Sequence, residues 1–272
     1  RAQFPMPGAN PRAILLLTDG LQNRPRFIAD VEPMLAGIDL HAIGLGSDSN
    51  LDGALLSTLT LGHSGLYTRA SSGLALLKFF SQAFGNIFEA GVLLDPEFEL
   101  PANQSAPPLE FRVCGEERLT VVVGWDRTDA NLFVQLRTPG GTAIPAGAAG
   151  TESSFGRNWT FLRVPLPQGA ERDGVWKVEV LRPGGGGEFP PPAPALHYFV
   201  NVIPAGGPKL LRATEGSFVY TGDTISPLLC VREADSSWPH ELQMELTVLR
   251  PDAGTGNLLS DAGLRTVAAI NG

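Results

Sequence analysis

Cysteine is scarce in this chain: Cys114 and Cys230 are the two in 272 residues. A disulfide framework is excluded, and a single bridge is not expected, because the two fall in segments of different pattern. Both read as small buried apolar residues. Positive charge is also short, with 20 Lys and Arg against 28 Asp and Glu and a net charge of −8. No Lys/Arg cluster interrupts the acidic balance, so nucleic-acid binding and attachment to an anionic membrane are poor readings. No apolar run approaches the ~20 residues of a membrane-spanning helix. The opening RAQFPMPGANP has neither an initiator Met nor the apolar core of a signal peptide. The chain is therefore expected to be a piece of a longer protein.

Catalytic motifs are missing as well. The four histidines, His41, His63, His197 and His240, are scattered and suggest no zinc site. GHSGL (62–66) lacks the second spacer of a G-x-S-x-G nucleophile elbow. GLGSDS (44–49) lacks the third glycine and the lysine of a phosphate loop. Those absences favour binding over catalysis.

What the chain does have is core material: 43% of residues are hydrophobic and 18% charged. Its 32 Gly and 23 Pro concentrate after residue 90, as turns between short strands require. Residues 1–90 alternate strand and helix patterns. Ala13–Leu17 is an aliphatic run of the buried parallel-strand kind. A helical spacing follows over Phe27, Ile28, Val31, Met34 and Leu35, ended or kinked at Pro33. Ile38–Gly46 is a second buried strand, with His41 packed in it or at its edge. Asn50 is placed to cap a short helix through Leu51, Leu55 and Leu59. A third strand lies in GLYTRA. Ser71 or Ser72 then caps a helix carrying Leu74, Leu77, Phe80, Phe84 and Phe88 on one face. The order predicts an α/β unit with a parallel, doubly wound sheet.

Residues 91–203 switch to strict alternation, as in Leu119-Val121-Val123-Trp125, Leu132-Val134-Leu136, Trp176-Val178-Val180 and Tyr198-Val200-Val202. That pattern predicts an antiparallel β-sandwich. Gly/Pro-rich 182–195 interrupts it as a loop. Residues 204–272 carry further strand patterns at Ser217–Tyr220, Ile225–Val231 and Leu242–Leu249, either a minimal sandwich or one cut short.

The motifs AILLLTDG (13–20), IDLHAIGLGSDSNLDGALLSTLTLGHSGLYTRA (38–70) and the long helix after them together resemble the C-terminal half of a von Willebrand factor A-type domain. The later LTVVVGWDRTDANLFVQLRTPGG and DGVWKVEVLRP resemble β-sandwich modules found beside such domains, and YTGDTISPLLCVREADSSWPHELQMELTVLRPD is similar to the start of an immunoglobulin-like module. The first resemblance implies that Asp19, supported by Thr18 and Gly20, is the third element of a metal-ion-dependent adhesion site. The D-x-S-x-S motif and the later-loop Thr that complete such a site are absent here. Mg²⁺ demands six oxygen ligands, so Asp19 alone holds no ion. Mg²⁺ or Mn²⁺ is expected in the intact parent and none in this fragment. A separate oxygen cluster, Asp126, Asp129 and Asn131, has the composition of a calcium loop. It lacks the glycine of the sharp bend, and a polar hairpin turn is the plainer reading.

The expectation is thus a non-catalytic protein-binding or adhesion fragment of a surface or secreted protein, contacting a protein or matrix ligand through metal near Asp19 in the parent. The rival is an accessory scaffold of an extracellular hydrolase whose catalytic domain lies upstream; a third option is a structural surface protein with a dead metal site. Half an A-type sheet is also expected to expose an edge strand that another segment or chain must cover.

Overall fold

The computed structural model describes residues 12–21, 24–46, 50–88, 92–93, 95–182, 194–212, 229–232 and 237–238. The chain divides into two compact units, Arg1–Trp238 and Pro239–Gly272. The second lies outside the described residues, as do the strands expected at 217–220 and 242–249 and most of the loop 182–195.

The first elements follow the expected order. Strand β1 (Ala13–Thr18), helix α1 (Ile28–Val31), strand β2 (Asp39–Leu45), helix α2 (Gly53–Gly62), strand β3 (Tyr67–Ala70) and helix α3 (Gly73–Phe88) build a parallel sheet of order β1-β2-β3. Strand β2 is central and its middle five residues are all buried, as its unbroken aliphatic run requires. Pro33 acts as anticipated: α1 stops at Val31, and a 3-10 turn covers Glu32–Leu35.

Three local readings need correction. The run Ala13–Leu17 is not buried throughout. Leu15 and Leu17 are 39% and 46% exposed, because β1 is an edge strand with one face uncovered by any described element. Asp52, not Asn50, caps α2: its Oδ1 accepts the Leu55 N–H at 2.9 Å. The third concerns α3, which does start at a serine cap, Ser72 Oγ accepting from the Ala75 N–H at 3.2 Å. Phe79, with Leu76 beside it, packs against Ile43 and Ala70 of the parallel sheet, and Ala83 one turn on is also fully buried. Leu77, Phe80 and Phe84 point elsewhere, towards the β-sandwich.

The sandwich is antiparallel. One sheet has the order β4-β12-β6-β10-β9, formed by β4 (Glu97–Leu100), β6 (Arg118–Trp125), β9 (Glu152–Phe155), β10 (Trp159–Pro165) and β12 (Leu196–Ala205). The facing sheet has the order β5-β11-β7-β8, formed by β5 (Leu109–Val113), β7 (Phe133–Arg137), β8 (Ala143–Pro145) and β11 (Gly174–Leu181). The alternating residues meet between the sheets: Leu119, Val121, Val123, Leu136, Val178 and Val200 are fully buried there. Trp125 and Trp176 fill the centre without losing their polar ends. Their indole N–H groups donate to the carbonyls of Ala130 at 2.9 Å and Arg172 at 2.7 Å. A short antiparallel pair, β13 (Lys209–Arg212) with β14 (Leu229–Arg232), follows.

The outer face of the five-stranded sheet is apolar too. Register puts Trp159, Gly124 and Phe199 in one row, and Phe161, Val122 and Asn201 in the next. Helix α3 lies over this face, so it is enclosed between two sheets and is apolar on two sides. Asp95 ties the layers: it pairs with Lys78 of α3 at 3.3 Å, accepts from Gln82 of α3, and accepts from the fully buried Asn201 of β12.

Cys114 is exposed in the turn after β5 rather than packed in a core. Partial desolvation and the nearby Glu116 carboxylate push its thiol above the ordinary cysteine value, which disfavours the reactive thiolate. The side chain of Cys230 lies outside the described residues.

Candidate functional site

Ligand sites in sheets of this kind form beyond the carboxyl ends of the parallel strands. Strand β1 delivers Thr18, Asp19 and Gly20 to that end. Thr18 Oγ1 donates to the Gly20 carbonyl at 3.2 Å and accepts the Gly20 N–H at 3.4 Å, closing a tight turn. The turn leaves the Asp19 side chain exposed. Asp19 opens onto a cleft of about 270 Å³ that also receives Asp52 from the start of α2. Leu16, Leu21, Ile28, Leu55 and Leu56 form its apolar walls. Asp52 is the site residue that sequence reasoning missed. Its signal was the Asp-Gly step before an apolar helix, a cap position that also faces the strand ends.

Two carboxylates, Asp19 and Asp52, meet in the cleft beside the Thr18 hydroxyl. Thr18 Oγ1 is spent on the turn and Asp52 Oδ1 on the helix cap. That leaves the Asp19 carboxylate and the second oxygen of Asp52 facing the cleft. Among the described residues, no group of three or more His, Cys, Asp or Glu gathers where a metal ion could be held.

The other oxygen-rich loop is turned onto cationic and N–H partners. Asp129 takes a two-pronged contact from Arg127, Nε at 2.9 Å and Nη2 at 2.6 Å, which also lowers its pKa. Asp126 accepts the His197 N–H at 3.0 Å and faces its ring Nδ1 at 3.1 Å. Asn131 is exposed beside them. The structure thus keeps Asp126, Asp129 and Asn131 together as the polar turn between β6 and β7, with both carboxylates engaged by protein donors.

His41 is packed within the sheet. It is 1% exposed in β2, and its Nδ1 accepts the Leu66 N–H at 3.2 Å. The GHSG turn is structural: a Cβ on Gly65 would sit 1.7 Å from the Leu40 carbonyl oxygen.

No family model and no curated protein matches the sequence. Among solved structures, the chain is similar to the Clostridium perfringens CspB protease, with 13% identity over 66% of this chain and 37% of that one and a TM-score of 0.30. It is similar to a von Willebrand factor type A protein from Catenulispora acidiphila, with 13% identity over 71% and 41% and a TM-score of 0.24. It is also similar to Pseudomonas aeruginosa AlgX, with 13% identity over 72% and 50% and a TM-score of 0.27. The chain thus spans half or less of the length of these three. At such scores the likeness decides neither fold nor function. No helix among the described residues is long and apolar enough to cross a membrane.

Proposed function

We propose that this chain is a binding part, without chemistry of its own, of a larger surface or secreted protein, and that its contact face is the strand-end cleft around Asp19. One observation carries the reading: an exposed carboxylate at the end of β1 shares an apolar-walled cleft with a second carboxylate, Asp52. Apolar walls with few polar anchors suit recognition of a protein or matrix segment. In the intact parent, Asp19 contributes to a Mg²⁺ or Mn²⁺ site whose remaining oxygens come from outside this chain. The two carboxylates supply the charge that such an ion needs, and the ion in turn takes a carboxylate of the partner.

Calorimetric titration separates the parts of this reading. The chain alone is expected to show no saturable heat with Mg²⁺ or Mn²⁺. In the full-length polypeptide, Asp19→Ala and EDTA are expected to weaken partner capture alike and without additivity. Micromolar metal binding by this chain would overturn the incomplete site, and undiminished capture by the Asp19→Ala parent would overturn the contact face.

A further inference from the structure

We propose that the cavity between α3 and the outer face of the five-stranded sheet binds a small monocarboxylate with an apolar body, of the size of a medium-chain fatty acid. The cavity is separate from the Asp19 cleft and does not depend on the reading given for it. It is a half-open cavity of about 310 Å³, within the range of small-molecule sites. Leu77 and Phe84 of α3, Val122 of β6, and Trp159 and Phe161 of β10 line it. The two β10 rings stack nearly parallel, 7° apart with centroids at 6.4 Å, and present a flat apolar floor.

One charged donor and one buried hydroxyl border this apolar space. Ser81 is 7% exposed, and its buried hydroxyl has no hydrogen-bond partner. A mid-helix serine ordinarily donates to a carbonyl of the preceding turn. Here it makes no such bond, and its oxygen lies behind the cavity wall. Arg163 is the one charged residue among those lining the cavity. Its Nε donates to Thr120 at 3.2 Å, and its Nη1 to Glu152 at 2.9 Å, where the Glu152 side chain is 68% exposed. Its guanidinium carbon lies 6.0 Å from the centre of the Phe84 ring, which holds it at the cavity wall. Nη2 makes no hydrogen bond or ion pair among the described residues.

Arg163 Nη2 gives a carboxylate one charge-assisted donor, while Glu152 shares the guanidinium from the exposed rim. A phosphate would bring a further oxygen and charge that the apolar walls leave unpaired. The volume suits a medium-length aliphatic chain behind the carboxylate.

The test is calorimetric titration of the full chain with decanoate and with decanol, below their aggregation limits. The wild type is expected to bind decanoate saturably, at one site, and about tenfold more tightly than decanol, as a charge-assisted contact implies. Arg163→Met keeps the apolar stem and is expected to bind the two alike. Val122→Phe fills the cavity and is expected to bind neither, with a melting temperature no lower than wild type. The proposal is overturned if the wild type shows no saturable decanoate binding, or if Arg163→Met keeps the preference for the acid. Undiminished binding by a folded Val122→Phe variant would place the ligand elsewhere and overturn it equally.

Discussion

Gly65 closes the turn between α2 and β3, and its N–H donates to the Thr60 carbonyl at 2.8 Å. The atom that a Cβ would strike, the Leu40 carbonyl oxygen, belongs to the backbone of the central strand and has no room to move. Gly65→Ala is therefore expected to cost upwards of about 2 kcal/mol, read from the urea midpoint. His41 sits beneath the same turn with its Nε2 buried and unpartnered. Burial holds its pKa below the ordinary 6.5, against a smaller opposing pull from Asp39. The unfolded chain thus takes up the proton first as pH falls. Stability linked to His41 is complete above 6.5 and is lost as pH drops from there through the lower folded value. Urea midpoints measured across that window should fall in the wild type and fall less in His41→Gln. A second acid-sensitive contact lies in the sandwich. Arg137 of β7 grips Glu179 of β11 through Nε and Nη2, both at 2.9 Å, and Gln135 also donates to it. Those bonds, Arg137 first, lower the Glu179 pKa from its ordinary 4.5. Their contribution is present above 4.5 and disappears as pH falls through the folded value, so Glu179→Gln should flatten the acid limb of the stability curve below that point.

At the scale of elements, α3 is the most informative. It carries two apolar stripes offset by one residue, Leu76-Phe79-Ala83 and Leu77-Phe80-Phe84. Phe79 is wholly buried against the parallel sheet, whereas Phe84 lines the cavity. Phe79→Ala is expected to cost roughly 3–5 kcal/mol and Phe84→Ala about 1, a contrast that thermal denaturation of the two variants checks directly. Periodicity marks both stripes as helical but does not say which one faces the parallel sheet, because that depends on a second sheet far along the chain. The same physics explains which strands were legible. Strands β6, β7, β11 and β12 announce themselves because their inward positions alternate apolar residues. Strand β10 hides the alternation: its inward Thr160, Leu162 and Val164 are interleaved with outward Trp159 and Phe161, which α3 and the cavity make half-buried. At the strand-end cleft, the TDG signature placed Asp19 correctly at the tip of β1. Asp52 was obscured by a competing cap residue, Asn50, two positions earlier, and only the fold shows which of them reaches the cleft.

At the scale of the whole first unit, the question is whether α3 and the sandwich stand or fall together. Asn201 answers part of it. It lies on the outward face of β12, a position that meets solvent in a free-standing sandwich, yet it is fully buried. Its amide donates to Asp95, which also faces Lys78 and Gln82 of α3. Removing the carboxylate would leave the buried Asn201 amide with only a long contact to the Val200 carbonyl at 3.4 Å, and Gln82 of α3 without its acceptor. Unpaired buried polar groups cost about 1–3 kcal/mol each, so Asp95→Ala should weaken the layer contact well beyond the worth of an exposed ion pair. Lys78 keeps a second partner, Glu97 at 2.9 Å, which limits the loss on that side. The expected result is local: amide exchange should accelerate in α3 and at the outward positions of β6 and β12, while β7 and β11 in the facing sheet stay protected. Asp95→Asn retains an acceptor for Asn201 and removes only the charge facing Lys78, so it should recover most of the protection. Uniform acceleration across both sheets in Asp95→Ala would mean that the layers unfold as one cooperative body; unchanged exchange in α3 would mean that the apolar face around Phe199 holds the helix without the polar tie.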